Sequence, residues 1–302
     1  MIRLAVRVPG EQAEEVLAEL LELTPAGVEE VALEDGRIEY AVYGPPGELP
    51  ALPDLQALAG EAAVEVSTSE IADDWQERWK DFHRPVLIAT DAAGARAAEA
   101  RTIRIRPPWE PPQTGAGEQS LELVIDPGQA FGTGGHASTR LCLRLLLELL
   151  EDEDGALAVL DVGTGSGVLA IAAARLGLSP VLGLDNEAES VVAAAENATA
   201  NGVELQTMRW DLRRDPLPWL GTGAEPSAPA PARTLLLANL LRPLLIELTG
   251  AVVHPPAALI AGGLLREELD EIAAAFAAEH ELVERRRCCE GEWGALWLAR
   301  GN

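Results

Sequence analysis

Apolar and polar residues alternate over 2–8, where Ile2, Leu4, Val6 and Val8 share one side, and this period of two predicts a strand. From 11 to 23 the apolar positions fall at helical spacing instead. Two short strand patterns, 27–33 and 37–42, flank Glu34-Asp35-Gly36 and predict a hairpin. A short helix over 52–59 and a strand over 62–67 complete the order βαββαβ, the ferredoxin-like split motif. Residues 1–66 are therefore expected to form a small α+β domain.

The next stretch, 67–120, reads as a connector. Residues 71–82 should form a helix with Trp75, Trp79 and Phe82 on one side, a stripe suited to interdomain packing. Strand patterns follow at 85–90 and 102–106, and Pro107-Pro108-Trp109-Glu110-Pro111-Pro112 predicts a stiff, extended segment. A larger domain is expected over 121–302. It opens with a glycine-rich loop and an amphipathic helix at 140–150. Strands at 158–162, 180–184, 234–238 and 257–261 then alternate with helices at 167–176, 187–201, 241–253 and 264–279. That rhythm predicts an α/β fold with a doubly wound, mostly parallel sheet covered on both faces. Strand-like runs at 281–287 and 294–299 around Glu290-Gly291-Glu292 suggest a closing antiparallel hairpin, and 222–232 reads as a solvated low-complexity loop.

Composition narrows the class. With 48% hydrophobic and 24% charged residues the chain suits a soluble globular protein. No run of about 18 uncharged apolar residues is present, so no membrane span is expected, and the start lacks the order of a signal peptide. Three cysteines, two of them adjacent at Cys288 and Cys289, fit neither a disulfide framework nor a zinc spacing, and the four histidines are scattered. No metal is expected; the expected compartment is the cytoplasm and the expected state a monomer. The net charge of −26 opposes binding to phosphate backbones and favours basic partners. Residues 1–66 hold 14 acidic residues against Arg3, Arg7 and Arg37 and lack the basic, aromatic face of RNA-binding modules with this topology. Direct nucleic-acid binding is not expected. Protein docking and a purely structural role both fit that module.

Four segments carry candidate chemistry. Val159-Leu160-Asp161-Val162 runs into Gly163-Thr164-Gly165-Ser166-Gly167, an apolar strand feeding a glycine-rich turn and then a helix. Open sheets bind ligands at that carboxyl edge. The spacing is G-x-G-x-G, and Val168 stands where a dinucleotide fingerprint has its third glycine, which favours a nucleoside without a pyrophosphate. Asp185 ends the following strand, 22 positions after Gly163, where a carboxylate can accept hydrogen bonds from ribose hydroxyls. Asn239 ends the apolar run Leu235-Leu236-Leu237-Ala238; its side-chain carbonyl could hold an amine, or it could cap a helix. The fourth segment, 125–139, is glycine-rich but lacks the lysine of a phosphate loop, and Thr139 could be a helix cap.

A glycine turn followed by a strand-end acid resembles the layout of class I S-adenosylmethionine-dependent methyltransferases. Asp126-Pro127-Gly128, Ala130-Phe131-Gly132-Thr133-Gly134 and His136 resemble the signature of the PrmA family, ribosomal protein L-eleven (L11) methyltransferases. The resemblance extends over nearly the whole chain, through Asp74-Trp75, the helix end around Glu196, Asn197, Asn201 and Gly202, Asn239-Leu240-Leu241, and Glu290-Gly291-Glu292-Trp293. It implies S-adenosyl-L-methionine as cofactor. Carried over, the family's cofactor residues fall on Thr139, Gly163, Asp185 and Asn239; Gly165 and Phe131 join them as candidates, and Asn239 is also the candidate catalytic residue. Gly135, Ala137, Ser138, Arg242 and the 222–232 insertion depart from the family pattern around the substrate entrance.

The resemblance implies methyl transfer to lysine and N-terminal amines of ribosomal protein L11. His136 is open to two roles, proton handling or loop stabilisation. Two further readings of the chain remain. One is an enzyme of the same fold acting on another protein or a small-molecule amine; the other is a non-catalytic S-adenosylmethionine-binding interaction protein.

Overall fold

The computed structural model describes residues 2–9, 16, 29–33, 37–44, 65–70, 83–90, 101–113, 120–128, 132, 134–152, 157–215, 217–218 and 233–301. The chain divides into two compact units, Met1–Phe82 and His83–Asn302. The division falls inside the stretch expected as connector. The helices expected at 11–23, 52–59 and 71–82 lie outside the described residues, apart from Val16.

In the first unit β1 (Ile2–Pro9), β2 (Glu29–Ala32), β3 (Arg37–Gly44) and β4 (Glu65–Glu70) form an antiparallel sheet in the order β2-β3-β1-β4. Its centre is apolar: Leu4, Val6 and Val8 of β1 are buried, as are Tyr40 and Val42 of β3. Arg7 and Glu39 stand opposite each other across β1 and β3, and Arg7 Nε donates to the Glu39 carboxylate. β4 runs on to Glu70, past the boundary expected at 66.

The second unit opens with a small sheet of β5 (Val86–Ala89), β6 (Thr102–Arg106) and β7 (Ser120–Val124), with β5 antiparallel and β7 parallel to β6. Arg106 Nε donates to Glu122 Oε1 at 2.8 Å, and Arg104 donates to Oε2, fastening β6 to β7. The proline-rich segment between them is not extended. It turns, with Glu110 N donating to the Pro107 carbonyl at 3.2 Å.

Helix α1 (Ala137–Asp152) shares one core with Ile88, Ile103, Ile105 and Leu123 of the small sheet and with Leu235, Ile260 and Trp297 of the larger one. Being covered from both sides, it buries Leu141, Leu143, Leu145, Leu146, Leu147 and Leu149. The expected amphipathic helix is thus buried nearly all round.

The remaining elements are β8 (Ala158–Val162), α2 (Val168–Arg175), β9 (Val181–Asp185), α3 (Ala188–Ala200), β10 (Gln206–Arg209), β11 (Thr234–Asn239), α4 (Arg242–Ala251), β12 (Ala258–Leu265), α5 (Leu269–His280), β13 (Leu282–Glu290) and β14 (Trp293–Arg300). They build a seven-stranded sheet in the order β10-β9-β8-β11-β12-β14-β13, parallel except at β14, which opposes both neighbours. Alternate residues feed two cores. Val159, Leu235, Leu237 and Ile260 face α1 and α2; Leu160, Leu236, Ala238 and Leu259 face α4 and α5. No described helix is long and apolar enough to cross a membrane.

Two strand readings need correction. β10 pairs in parallel with β9 at the sheet edge and is largely solvent-facing, so it carries no apolar pattern to read. β12 continues through Gly262 and Gly263 to Leu265, where a helix was expected to begin at 264. A bulge between Ala261 and Leu264 lets the strand pass the glycines while pairing with β14.

Candidate active site at the switch point of the sheet

Strand order reverses between β8 and β11: from β8 the chain proceeds outward to β9 and β10, then crosses back to β11 and β12. Such a point opens a crevice beyond the carboxyl ends of the strands. Gly163 follows β8, Asp185 ends β9 and Asn239 ends β11, so three adjacent strands bring these candidates to one edge.

The turn after β8 depends on glycine. Gly163, Gly165 and Gly167 have φ of 72°, 52° and 81°, a region L side chains rarely adopt. At Gly163 a Cβ would also lie 2.4 Å from Leu240 Cδ2. Gly163 N and Thr164 N both donate to the Leu184 carbonyl, at 2.8 and 2.9 Å, pinning the turn to β9. Asp185 closes it from above. Its Oδ2 accepts Gly165 N at 2.9 Å and its Oδ1 accepts Glu187 N at 3.1 Å.

Asp161 supports the same turn from below. Thr164 Oγ1 donates to Asp161 Oδ2 at 2.7 Å and Ala170 N donates to it at 3.3 Å, while Oδ1 is buried without a hydrogen-bond partner. Burial pushes the carboxyl up to about 7, against the lowering by these two donors, and the nearby Asp185 charge adds to the rise.

Asn239 is partly exposed, but its Oδ1 is buried and has no hydrogen-bond partner. Its Nδ2 donates to Thr139 Oγ1 at 3.3 Å. Thr139 is fully buried, and it is the third residue of α1 rather than its cap. The cap position belongs to His136: Ser138 N donates to His136 Nδ1 at 3.3 Å, and Ser138 Oγ lies 2.8 Å from the same nitrogen. Burial, and then the Arg140 charge, hold the imidazole below its usual value. Phe131 lies outside the described residues.

Several groups that sequence reasoning gave no role hold this edge together. Asn197 Nδ2 donates to the Ser166 carbonyl and its Oδ1 accepts Asp126 N, both at 2.9 Å. One helical turn on, at the C-cap of α3, Asn201 Oδ1 accepts Val124 N at 2.9 Å, so these two buried side chains tie β7 and the loop after it to the end of α3 and the glycine turn. Ser166 Oγ donates to the Gly132 carbonyl at 2.7 Å. The closing hairpin braces the loop's other end: Trp293 meets His136 edge-on at 4.5 Å, and Glu290 accepts from Arg140. Two asparagines four apart on a helix were the available signal, though only the fold supplies their partners. Arg242 pairs with Glu271 at 3.0 Å and with Glu268 at 3.4 Å, fastening α4 to the start of α5.

Comparison with known proteins fits this geometry. The family profile described as "Ribosomal protein L11 methyltransferase (PrmA)" matches residues 51–300. The ribosomal protein L11 methyltransferase of Heliobacterium modesticaldum is 36% identical over 234 residues, 76% of this chain and 65% of that protein. Its namesake in Syntrophotalea carbinolica is 40% identical over 221 residues, 71% of this chain and 64% of that protein. The matched stretch thus spans just under two thirds of the length of these two relatives. Among solved structures, a ribosomal protein L11 methylase from Lactobacillus delbrueckii subsp. bulgaricus superposes with a TM-score of 0.53 at 28% identity, covering 71% of this chain and all of that one. The α/β architecture with its mostly parallel sheet is that of class I methyltransferases, and the chain belongs to the ribosomal protein L11 methyltransferase (PrmA) family.

Proposed function

We propose that this chain is an S-adenosylmethionine-dependent protein methyltransferase acting on lysine and N-terminal amines of ribosomal protein L11. The observation that carries the reading is the set Gly163, Gly165, Asp185 and Asn239 gathered at the switch point of the sheet. The residues suit the cofactor. Three glycines with positive φ form the tight turn at the strand end, and Asp185 keeps lone pairs for ribose hydroxyls beyond those its two backbone donors use. Phe131 stays a candidate through the family resemblance. Bound S-adenosylmethionine supplies a methyl group already activated on a sulfonium.

The chain's own contribution is alignment. Asn239 Oδ1, buried and lacking a donor, suits an amine N–H, which would set the nitrogen lone pair toward the methyl group. The amine must be neutral: a lysine has to lose a proton against a pKa of about 10.4, an α-amine against one near 8. Water can take that proton before attack, so no dedicated base is assigned. His136 Nδ1 serves the helix cap, which favours a loop-stabilising role.

The front unit is read as a ferredoxin-like substrate-recognition domain over 1–66, supported by the sheet order β2-β3-β1-β4. Residues 67–120 are read as its link to a catalytic domain over 121–302. The 14 acidic residues of the front module suit a basic ribosomal protein rather than RNA; the reaction is read as cytoplasmic and the enzyme as a monomer. Asn239→Ala is expected to lower kcat far more than cofactor affinity. Equal losses in both, by kinetics and calorimetry, would make Asn239 chiefly a cofactor contact.

A further inference from the structure

We infer that Leu241 is a specificity-determining residue: an exposed leucine, two positions past Asn239, that takes the aliphatic stem of a substrate lysine and so favours ε-amines over N-terminal ones. This rests on the proposed amine-methylating role of the site.

Leu241 is 63% exposed, although it stands just past the buried strand β11. Scattered exposed apolar residues are ordinary, so position decides whether one carries meaning. Among the described residues five other large apolar side chains are exposed: Leu87, Val192, Met208, Val253 and Val283. Leu87 lies in the small sheet, Val192 on α3, Met208 and Val283 on the outermost strands β10 and β13, and Val253 past the far end of α4. Of the six, Leu241 is the one that follows a strand end at the switch point.

Stability gives no reason for a leucine there. Residue 241 is the N-cap of α4, with φ −63° and ψ 149°, and its side chain makes no cap hydrogen bond. Asn, Asp or Ser would offer an oxygen to the first helical N–H groups and would expose less apolar surface. The backbone that carries Leu241 is fixed. Leu240 N donates to the Gly262 carbonyl at 3.1 Å, and the Leu241 carbonyl accepts Leu244 N at 3.0 Å. Gly263, with φ of 76°, lies so close that a Cβ there would come within 2.6 Å of the Leu240 oxygen. Leu240 sets its own side chain against Gly163, over the turn after β8. Leu241 is thus the apolar group of this segment left open to solvent.

The chemistry of the two acceptor amines separates them. A lysine carries its nitrogen on a four-carbon stem, which packs along apolar surface while the amine reaches beyond it. An N-terminal amine sits directly on Cα and has no such stem. A fixed apolar rim beside Asn239 therefore improves the lysine complex and leaves the α-amine nearly unaffected.

The test uses the full chain, purified ribosomal protein L11 and initial rates at each acceptor amine, read by peptide mass spectrometry. Leu241→Asn removes the apolar group while supplying a favoured helix cap, so Tm should hold or rise. It should lower kcat/KM at lysine amines about tenfold, the rate equivalent of burying one to two methylenes, and change the N-terminal rate less than about twofold. The S-adenosylmethionine Kd should stay within about twofold. Leu241→Met, which restores apolar surface, should recover most of the lysine rate. Equal losses at both amines, a larger loss at the N-terminal one, or lysine rates like those of the unmodified chain would overturn the inference. If the unmodified chain binds S-adenosylmethionine but methylates neither kind of amine, the proposed function itself fails, and the inference with it.

Discussion

At the scale of single residues, the two carboxylates flanking the glycine turn do different work. Asp185 holds two backbone N–H groups, so its removal affects both the ligand site and the turn. Asp185→Ala should weaken S-adenosylmethionine binding by about 1.5–3 kcal/mol, the worth of a charge-assisted hydrogen bond, and also lower Tm. Calorimetry showing unchanged affinity in a folded variant would remove Asp185 from the site. Asp161 is the pH-sensitive member. Its carboxyl, ordinarily near 3.9 in an unfolded chain, is raised to about 7 by burial. A folded-state pKa above the unfolded one stabilises fully below the unfolded value, and that contribution is lost as pH rises through about 7. Asp161→Asn keeps an oxygen for Thr164 and Ala170 and should flatten the fall in stability between about pH 4 and pH 7. An unaltered slope in thermal melts would mean that Asp161 is ionised throughout that range. Gly163, Asp185 and Asn239 were legible because each ends an apolar strand or begins a turn. The partnership of Asn239 with Thr139 was not, since it joins the start of α1 to the end of β11, 100 residues apart in the chain.

At the scale of elements, legibility followed burial. β8 and β6 are bounded as the pattern predicts because apolar strands stop where glycine or proline intervenes. β10 escaped because an exposed edge strand has no hydrophobic period. The pair Gly262-Gly263 reads as a break, yet pairing with β14 carries β12 past it. Helix α1 misled most: its pattern suggests one apolar face, and only the small sheet on its other side explains burial nearly all round. Its start depends on neutral His136 accepting Ser138 N. Because the folded-state pKa of His136 is depressed, the cap's contribution is fully present above the usual histidine value near 6.5 and is lost as pH falls from there through the lower folded-state value. His136→Ala should therefore cost about 0.5–2 kcal/mol at neutral pH, while His136→Asn, a good cap, should restore most of it. Equal melting temperatures for the alanine variant and the unmodified chain would exclude the cap.

At the scale of the whole molecule, the net charge of −26 and the acidic front module bear on encounter rather than on the fold. Exposed charges beyond about 10 Å are screened in 0.1 M salt. Raising ionic strength should therefore increase KM for a basic protein substrate while leaving cofactor Kd nearly constant; a salt-independent KM would argue that the acidic module does not capture it. The family profile spans residues 51–300, from within the front unit through the class I domain. The most direct test of the central claim is to incubate the purified chain with S-adenosylmethionine and purified ribosomal protein L11 and read the substrate by intact mass. The account predicts mass gains in whole methyl steps on L11, abolished or strongly slowed by Asn239→Ala. An unmodified L11, under conditions where calorimetry shows the chain binding S-adenosylmethionine, would contradict it.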